Sequence, residues 1–263
     1  HRMNIQRLFV LTILLLSLNT AALAGQGSLE WEENAQFGIE VGGSIDITAQ
    51  VFQPMNYQPF LILVSERLKH PLLIDLGKKK VYRLNASDVK IAGSFLSTTG
   101  IPKGKSISKY QMKGGASTFK VDGKPVAMTV RQTLVGETSA GIILAHSPDY
   151  AVRKDAYKPN GKSIQFLKTY KKKTEVVVMF ATWCSTCKLV LPTVLRVFGD
   201  AGNSNFNVRY IGIAMGGGEP HAELERYGHD YPAVILFQNG KELDRIVGEP
   251  PVPIEDRIVN ILR

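Results

Sequence analysis

From about Phe37 to Arg131, apolar and polar residues alternate with the two-residue period of β-strands. Ile45, Ile47, Ala49 and Val51 are separated by polar neighbours, and Pro59-Phe60-Leu61-Ile62-Leu63-Val64 is an apolar run of strand length. Phe119 and Val121 on one side and Val126, Met128 and Val130 on the other flank Asp122-Gly123, a pair that tolerates the positive φ angles of a tight hairpin. These signals predict a β-rich unit over residues 26–135. The aromatic residues Phe52, Tyr57 and Phe60 fall inside it and are expected in its core. Between Gly136 and Tyr157 the pattern turns helical, with Ile142, Ile143, Leu144 and Ala145 ahead of a break at Ser147-Pro148-Asp149. Lys158-Pro159-Asn160-Gly161 then carries turn residues, so 136–161 is expected to be a helical linker.

Beyond Gly161 the grammar changes to alternating strands and helices, predicting an α/β unit over 162–263. Ser163 is placed to cap a short helix bearing Ile164, Leu167 and Tyr170. Glu175-Val176-Val177-Val178-Met179-Phe180 is β-branched and apolar, as a central strand buried on both faces requires. A helix is predicted from the cysteine pair to about Phe198, a strand over 207–215, a helix over 219–227 and a strand over 233–237. Asn239-Gly240 turns the chain into 243–247, and an amphipathic helix over 254–262 closes it.

Ahead of both units, a polar start with Arg7, the apolar run Leu8 to Leu18 and Ala22-Leu23-Ala24 have the three parts of a secretory signal, predicting cleavage after Ala24. The run is shorter than the roughly 20 residues that span a bilayer. No cysteine follows the cleavage site, which argues against a lipoprotein. The mature protein is therefore expected outside the cytoplasm, in a periplasm, without stable membrane insertion. The chain has 263 residues, 44% hydrophobic and 21% charged, which excludes a disordered or collagen-like protein. Its net charge of +9 is spread along the chain, and no nucleic-acid-binding signature accompanies it, so no nucleic-acid partner is expected.

There are 2 cysteines, Cys184 and Cys187, flanking Ser185-Thr186. They cannot build a disulfide-stapled scaffold. If they open a helix, the first sulfur lies beside unsatisfied backbone N–H groups and the positive end of the helix dipole, which stabilise a thiolate. Cys184 is then the nucleophile, and Cys187, one turn on, is the thiol that resolves a mixed disulfide. Lys188 adds a positive charge, on a side chain expected to point to solvent with a small effect. Half a zinc site and an inert structural disulfide share this spacing. Haem attachment is excluded because Lys188 stands where it needs His, and zinc would need His221 and His229, which are not at metal-finger spacing. No cofactor or metal is expected.

The run from Val176 to Lys188, including Ala181-Thr182-Trp183-Cys184-Ser185-Thr186-Cys187, with Pro192 in the following helix, resembles the active-site strand and helix of the thioredoxin superfamily. Tyr231-Pro232-Ala233-Val234-Ile235-Leu236-Phe237-Gln238-Asn239-Gly240-Lys241 is similar to that family's cis-proline strand and hairpin, and Gly248 matches the glycine after it. The resemblance covers about 160–263 and implies a thioredoxin-like fold, a central mixed sheet flanked by helices, behind the β-rich region. It implies that Pro232 is cis and lies beside the Cys184 sulfur, leaving the Tyr231 backbone free to pair with an extended substrate. Trp183 would flank the nucleophile and offer an apolar face, and Pro192 would kink the helix. The chain departs from the family in carrying Val178 where a buried acid is usual, which leaves proton transfer to water or Glu175. The Ser-Thr dipeptide does not fix a redox potential.

These readings predict an exported thiol-disulfide oxidoreductase, acting as a reductant or isomerase on protein thiols or disulfides, with a membrane electron donor. The other hypothesis is a non-catalytic binding or assembly protein whose β-rich region grips a partner. Dimerisation is a third use for that region.

Overall fold

A computed structural model describes residues 27–263. The expected signal segment, 1–24, lies outside them. None of the helices described is long and apolar enough to cross a membrane.

The first half consists of β1 (Ser28–Glu33), β2 (Phe37–Val41), β3 (Ser44–Ile45), β4 (Gln50–Pro54), β5 (Phe60–Val64), β6 (Leu72–Asp75), β7 (Lys80–Arg83), β8 (Lys90–Ala92), β9 (Phe95–Thr99), β10 (Lys105–Lys109), β11 (Gln111–Lys113), β12 (Ala116–Val121) and β13 (Lys124–Val130). They form an 8-stranded sheet ordered β10-β7-β6-β5-β4-β1-β9-β8 and a 5-stranded sheet ordered β11-β12-β13-β2-β3. Alternation along the strands builds two apolar clusters. Val51, Leu63, Ile74 and Val81 meet Ile39, Phe119, Val126 and Met128 of the second sheet, while Phe52, Ile62 and Leu73 turn to the other face with Trp31 and Leu96. The indole of the fully buried Trp31 donates to Thr98 Oγ1 at 2.8 Å.

Asp122 and Gly123 both have positive φ in the β12–β13 turn, as the Asp-Gly pair requires. The strand expected across 45–51 is instead broken. Asp46 accepts from the Thr48 N–H at 3.0 Å and from the Thr48 and Ser65 hydroxyls, folding 46–49 into a turn between β3 and β4. Of the three aromatic residues expected in the core, Phe52 is fully buried and Phe60 half-buried. Tyr57, at a turn with positive φ, is 90% exposed.

The second half contains β14 (Gly136–Thr138), α1 (Ala140–His146), α2 (Pro148–Ala156), α3 (Gly161–Thr169), β15 (Thr174–Phe180), α4 (Ser185–Ala201), β16 (Phe206–Gly212), α5 (His221–Tyr227), β17 (Ala233–Gln238), β18 (Lys241–Val247) and α6 (Ile254–Leu262). Its 5-stranded sheet runs β14-β16-β15-β17-β18. β15 pairs parallel to β16 and antiparallel to β17, so the sheet is mixed. Val176, Val178 and Phe180 enter a cluster with α3, α4 and α6, whereas Val177, Met179 and Ala181 pack with Leu224 and Tyr227 of α5. Both faces are buried, which is why β15 reads as an unbroken apolar run.

Residues 136–161 are not a spacer. β14 adds to the sheet edge against β16, and Ile143 and Tyr150 are fully buried in the α3–α4–α6 cluster. Asn160, not Ser163, caps α3, accepting from the Lys162 N–H at 3.0 Å; Ser163 lies one turn inside and donates to Asp256. The buried Glu255 takes hydrogen bonds from Tyr157 Oη at 2.8 Å and the Asn160 N–H at 2.6 Å, tying this segment to α6.

Candidate active site

The centre of the site lies where β15 gives way to α4. The strand leaves the sheet at Ala181-Thr182-Trp183, and Cys184 occupies the N-cap position with extended backbone, φ −82° and ψ 124°. Its sulfur accepts from the Cys187 N–H at 3.1 Å, satisfying one of the donors a helix start leaves free. Cys187 is fully buried one turn behind, and its sulfur accepts from the Ala181 N–H at 3.4 Å. Both thiols are free.

The two sulfurs titrate apart. A hydrogen bond from the Cys187 thiol, together with the Cys187 and Thr186 N–H groups, holds Cys184 below the ordinary thiol range, against desolvation and the charge of Glu33. Burial first, then the neighbouring Cys184, pushes Cys187 well above it. The thiolate is therefore favoured at Cys184 and the protonated thiol at Cys187. Val178 is buried in the cluster that holds Cys187. Glu175, offered from the sequence as a proton relay, sits at the opposite end of β15 and pairs with Arg209 at 3.2 Å, so it does not serve the sulfurs.

Pro232 follows a cis peptide bond from Tyr231 and is buried. The rings of Trp183 and Tyr231 meet edge to face with centroids 5.2 Å apart. Cys184, Trp183 and Tyr231 line one cleft of about 480 Å³. A larger hollow, about 740 Å³, opens beside Ser87, Thr99 and Lys103 and contains neither sulfur. Pro192 lies inside α4, which continues across it to Ala201. His221 opens α5 and His229 follows it, both exposed. Among the described residues no cluster of three or more His, Cys, Asp or Glu side chains could hold a metal.

No local signal in the chain indicates that the β-rich region reaches the site. The Ala35 N–H donates to the carbonyl of Trp183, the residue before the nucleophile, at 3.2 Å. Lys188, expected in solvent, is buried. Its ammonium donates to Glu33 Oε1 of β1 at 2.8 Å and to the Ala49 carbonyl at 2.9 Å, and Gln50 donates to the second Glu33 oxygen at 2.9 Å. The stem of Lys188 leaves the same helical turn as Cys187, and a buried ammonium needs a carboxylate, which Glu33 of the folded β-rich region supplies. Arg131 pairs with Asp149 of α2 and donates to the Ala35 carbonyl at 2.8 Å, while Arg153 donates to the Ile47 carbonyl. Glu32, Tyr57 and Phe95, also from the β-rich region, line the same cleft as Cys184.

Known proteins with related sequences match about a third of the chain. Residues of this chain are 30% identical over 89 positions to Thioredoxin-1 of Saccharomyces cerevisiae, covering 33% of this chain and 79% of that protein. They are 35% identical over 75 positions to the thioredoxin of Chlamydia caviae, covering 28% and 67%. Among solved structures, mitochondrial thioredoxin 3 of S. cerevisiae in its oxidised form aligns with a TM-score of 0.27 and 19% identity, covering 41% of this chain and 98% of that one. No family model matches the chain.

Proposed function

Because this chain belongs to the thioredoxin superfamily through a region of about a third of its length, we propose that it is an exported thiol-disulfide oxidoreductase working through Cys184 and Cys187. The observation that carries this reading is the opposed state of the two sulfurs: Cys184 at a helix start, half-exposed and held low, and Cys187 buried beneath it and held high. The Cys184 thiolate attacks one sulfur of a substrate disulfide. That S–S bond breaks, the departing sulfur takes up a proton from solvent, and a mixed disulfide joins Cys184 to the substrate. Cys187 then gives up its proton and attacks Cys184 Sγ. The mixed disulfide breaks, the intramolecular disulfide forms, and the substrate leaves as a dithiol carrying two electrons. Another turnover requires a donor to reduce the pair.

With Val178 behind the sulfurs, water entering the cleft is the proton acceptor for Cys187 on this reading. Trp183 and Tyr231 form the apolar floor on which substrate rests, and the peptide unit before Pro232 offers its backbone to an extended chain. The sequence signal at 1–24 supports an extracytoplasmic setting, with exported protein thiols or disulfides as substrates and a membrane thiol donor as the electron source. We favour reduction or isomerisation over bulk oxidation.

The test is the reduction potential of the Cys184/Cys187 pair, equilibrated against thiol buffers and read by alkylation. A value near or below about −270 mV marks a reductase, and one near −180 mV an isomerase. Cys187→Ser is expected to accumulate mixed disulfides that Cys184→Ser does not form. If no reversible disulfide forms, or if Cys184→Ser retains its partners, the chain is a binding or assembly protein.

A further inference from the structure

The β-rich region has no cysteine and cannot exchange thiols, yet it supplies a wall of the cleft in which Cys184 lies. We infer that this wall is a substrate selector, and that the cleft takes an extended polypeptide segment bearing a lysine or arginine and an apolar side chain close to its reacting cysteine. The inference deepens the exchange function proposed above and rests on it.

Charge is the first argument. The chain holds 32 Lys and Arg against 23 Asp and Glu, but none of the described residues that line the cleft is basic. Its charged residues are Glu32 and Glu33. Glu33 is buried and neutralised by Lys188. Glu32 alternates with it along β1, is exposed, and has no ion-pair partner among the described residues. Burial first, and then the neighbouring Cys184 and Cys187 sulfurs, push the Tyr231 phenol up, with a smaller contribution in the same direction from Glu32. With Cys184 as thiolate, the cleft presents two negative charges, neither with an ion-pair partner among the described residues, on an otherwise basic protein. A cationic segment is drawn in, and an anionic one meets repulsion.

The second argument is apolar exposure. Phe95 at the start of β9 is 50% exposed, Tyr57 is 90% exposed and Met215 is 56% exposed. All three line this cleft, two from the β-rich region and one from the loop after β16. Large apolar side chains scattered singly over a surface need no explanation, but three converging on one nucleophile offer a seat for an apolar substrate residue. The wall is fixed in place by the Ala35–Trp183 backbone bond and the Glu33–Lys188 pair, so selector and nucleophile keep one geometry.

The experiment compares three substrates on the full chain. Two are disulfide peptides of matched sequence, each with a leucine beside its cysteine, one flanked by lysines and the other by glutamates. The third is hydroxyethyl disulfide, which is small and neutral. The wild type is expected to prefer the lysine peptide by about fivefold or more in kcat/KM, each rate divided by that with hydroxyethyl disulfide, and salt should shrink the preference. Glu32→Lys should abolish or reverse it. Phe95→Ser should lower the normalised rates of both peptides together.

Equal rates for the two wild-type peptides, or a ratio unmoved by Glu32→Lys, overturn the selector. Loss of hydroxyethyl disulfide turnover in the wild type sinks the exchange function instead. In that case the selector is read separately, by the change in tryptophan fluorescence, with Trp183 lining the cleft, as serine analogues of the peptides bind Cys184→Ser. Binding of the lysine analogue over the glutamate one sustains the selector, and equal or absent binding overturns it.

Discussion

Replacing Glu33 with Gln removes a charge from a pair that joins the two halves of the chain one residue from Cys187. The side chains of Lys188 and Glu33 are 9% and 5% exposed, and their charged atoms lie 2.8 Å apart. Burial lowers the Lys188 pKa, and the Glu33 carboxylate opposes that shift. Without Glu33, the ammonium keeps the Ala49 carbonyl and an amide oxygen but no counter-charge. Breaking a buried pair from one side costs about 3–5 kcal/mol, a large share of the roughly 5–15 kcal/mol that holds a domain folded.

Lys188→Met strands Glu33 in the same way and should cost a similar amount. The double variant leaves neither charge of this pair buried and should recover all but about 1–2 kcal/mol, since the Ala49 carbonyl still lacks its donor. Guanidinium unfolding followed by tryptophan fluorescence reads both halves, because Trp31 lies in the β-rich region and Trp183 at the site. The thiol supplies an independent sign. The Glu33 charge raises the Cys184 pKa, so Glu33→Gln should move the pH profile of Cys184 alkylation down, whereas Lys188→Met, which leaves that charge unneutralised, should move it up. Losses under about 1 kcal/mol in both single variants, or alkylation shifts of the same sign, would refute this account.

In the reduced protein, alkylation of Cys184 should show its inflection below pH 9.0, the ordinary value, and Cys187 should react only above it; a single shared inflection at 9.0 contradicts the geometry. The sign follows from the folded state favouring the thiolate at one sulfur and the protonated thiol at the other. Trp31→Ala empties a fully buried site and leaves the Thr98 hydroxyl oxygen without its indole donor, and should lower stability by about 3–5 kcal/mol in the same denaturant assay. Gly212→Ala would drive its new methyl into the Leu134 carbonyl where β14 joins β16, and should cost about 1–3 kcal/mol as that edge strand shifts; an unchanged melting temperature would show that the edge yields freely.

The elements legible in the amino-acid sequence are those whose signals are local. The unbroken apolar run of β15 required burial on both faces, Asp122-Gly123 and Asn239-Gly240 each placed two positive φ angles in a hairpin turn, and the cysteine spacing put both sulfurs on one turn of α4. Motif likeness added Pro232 and its cis bond.

The features that emerge only on folding depend on residues far apart in the chain. Lys188 reads as a solvent lysine until Glu33, 155 positions earlier, meets it. Residues 136–161 read as a linker because the apolar spacing of Ile143 and Tyr150 is short, and its partners lie on helices that come later. Tyr57 reads as core by its residue type, yet the turn that carries it faces the cleft. Periodicity records which side of an element is buried, but it carries no address for the surface that buries it. That address is set when the two halves pack, and the packing places Glu32, Glu33 and Phe95 around the sulfur of Cys184.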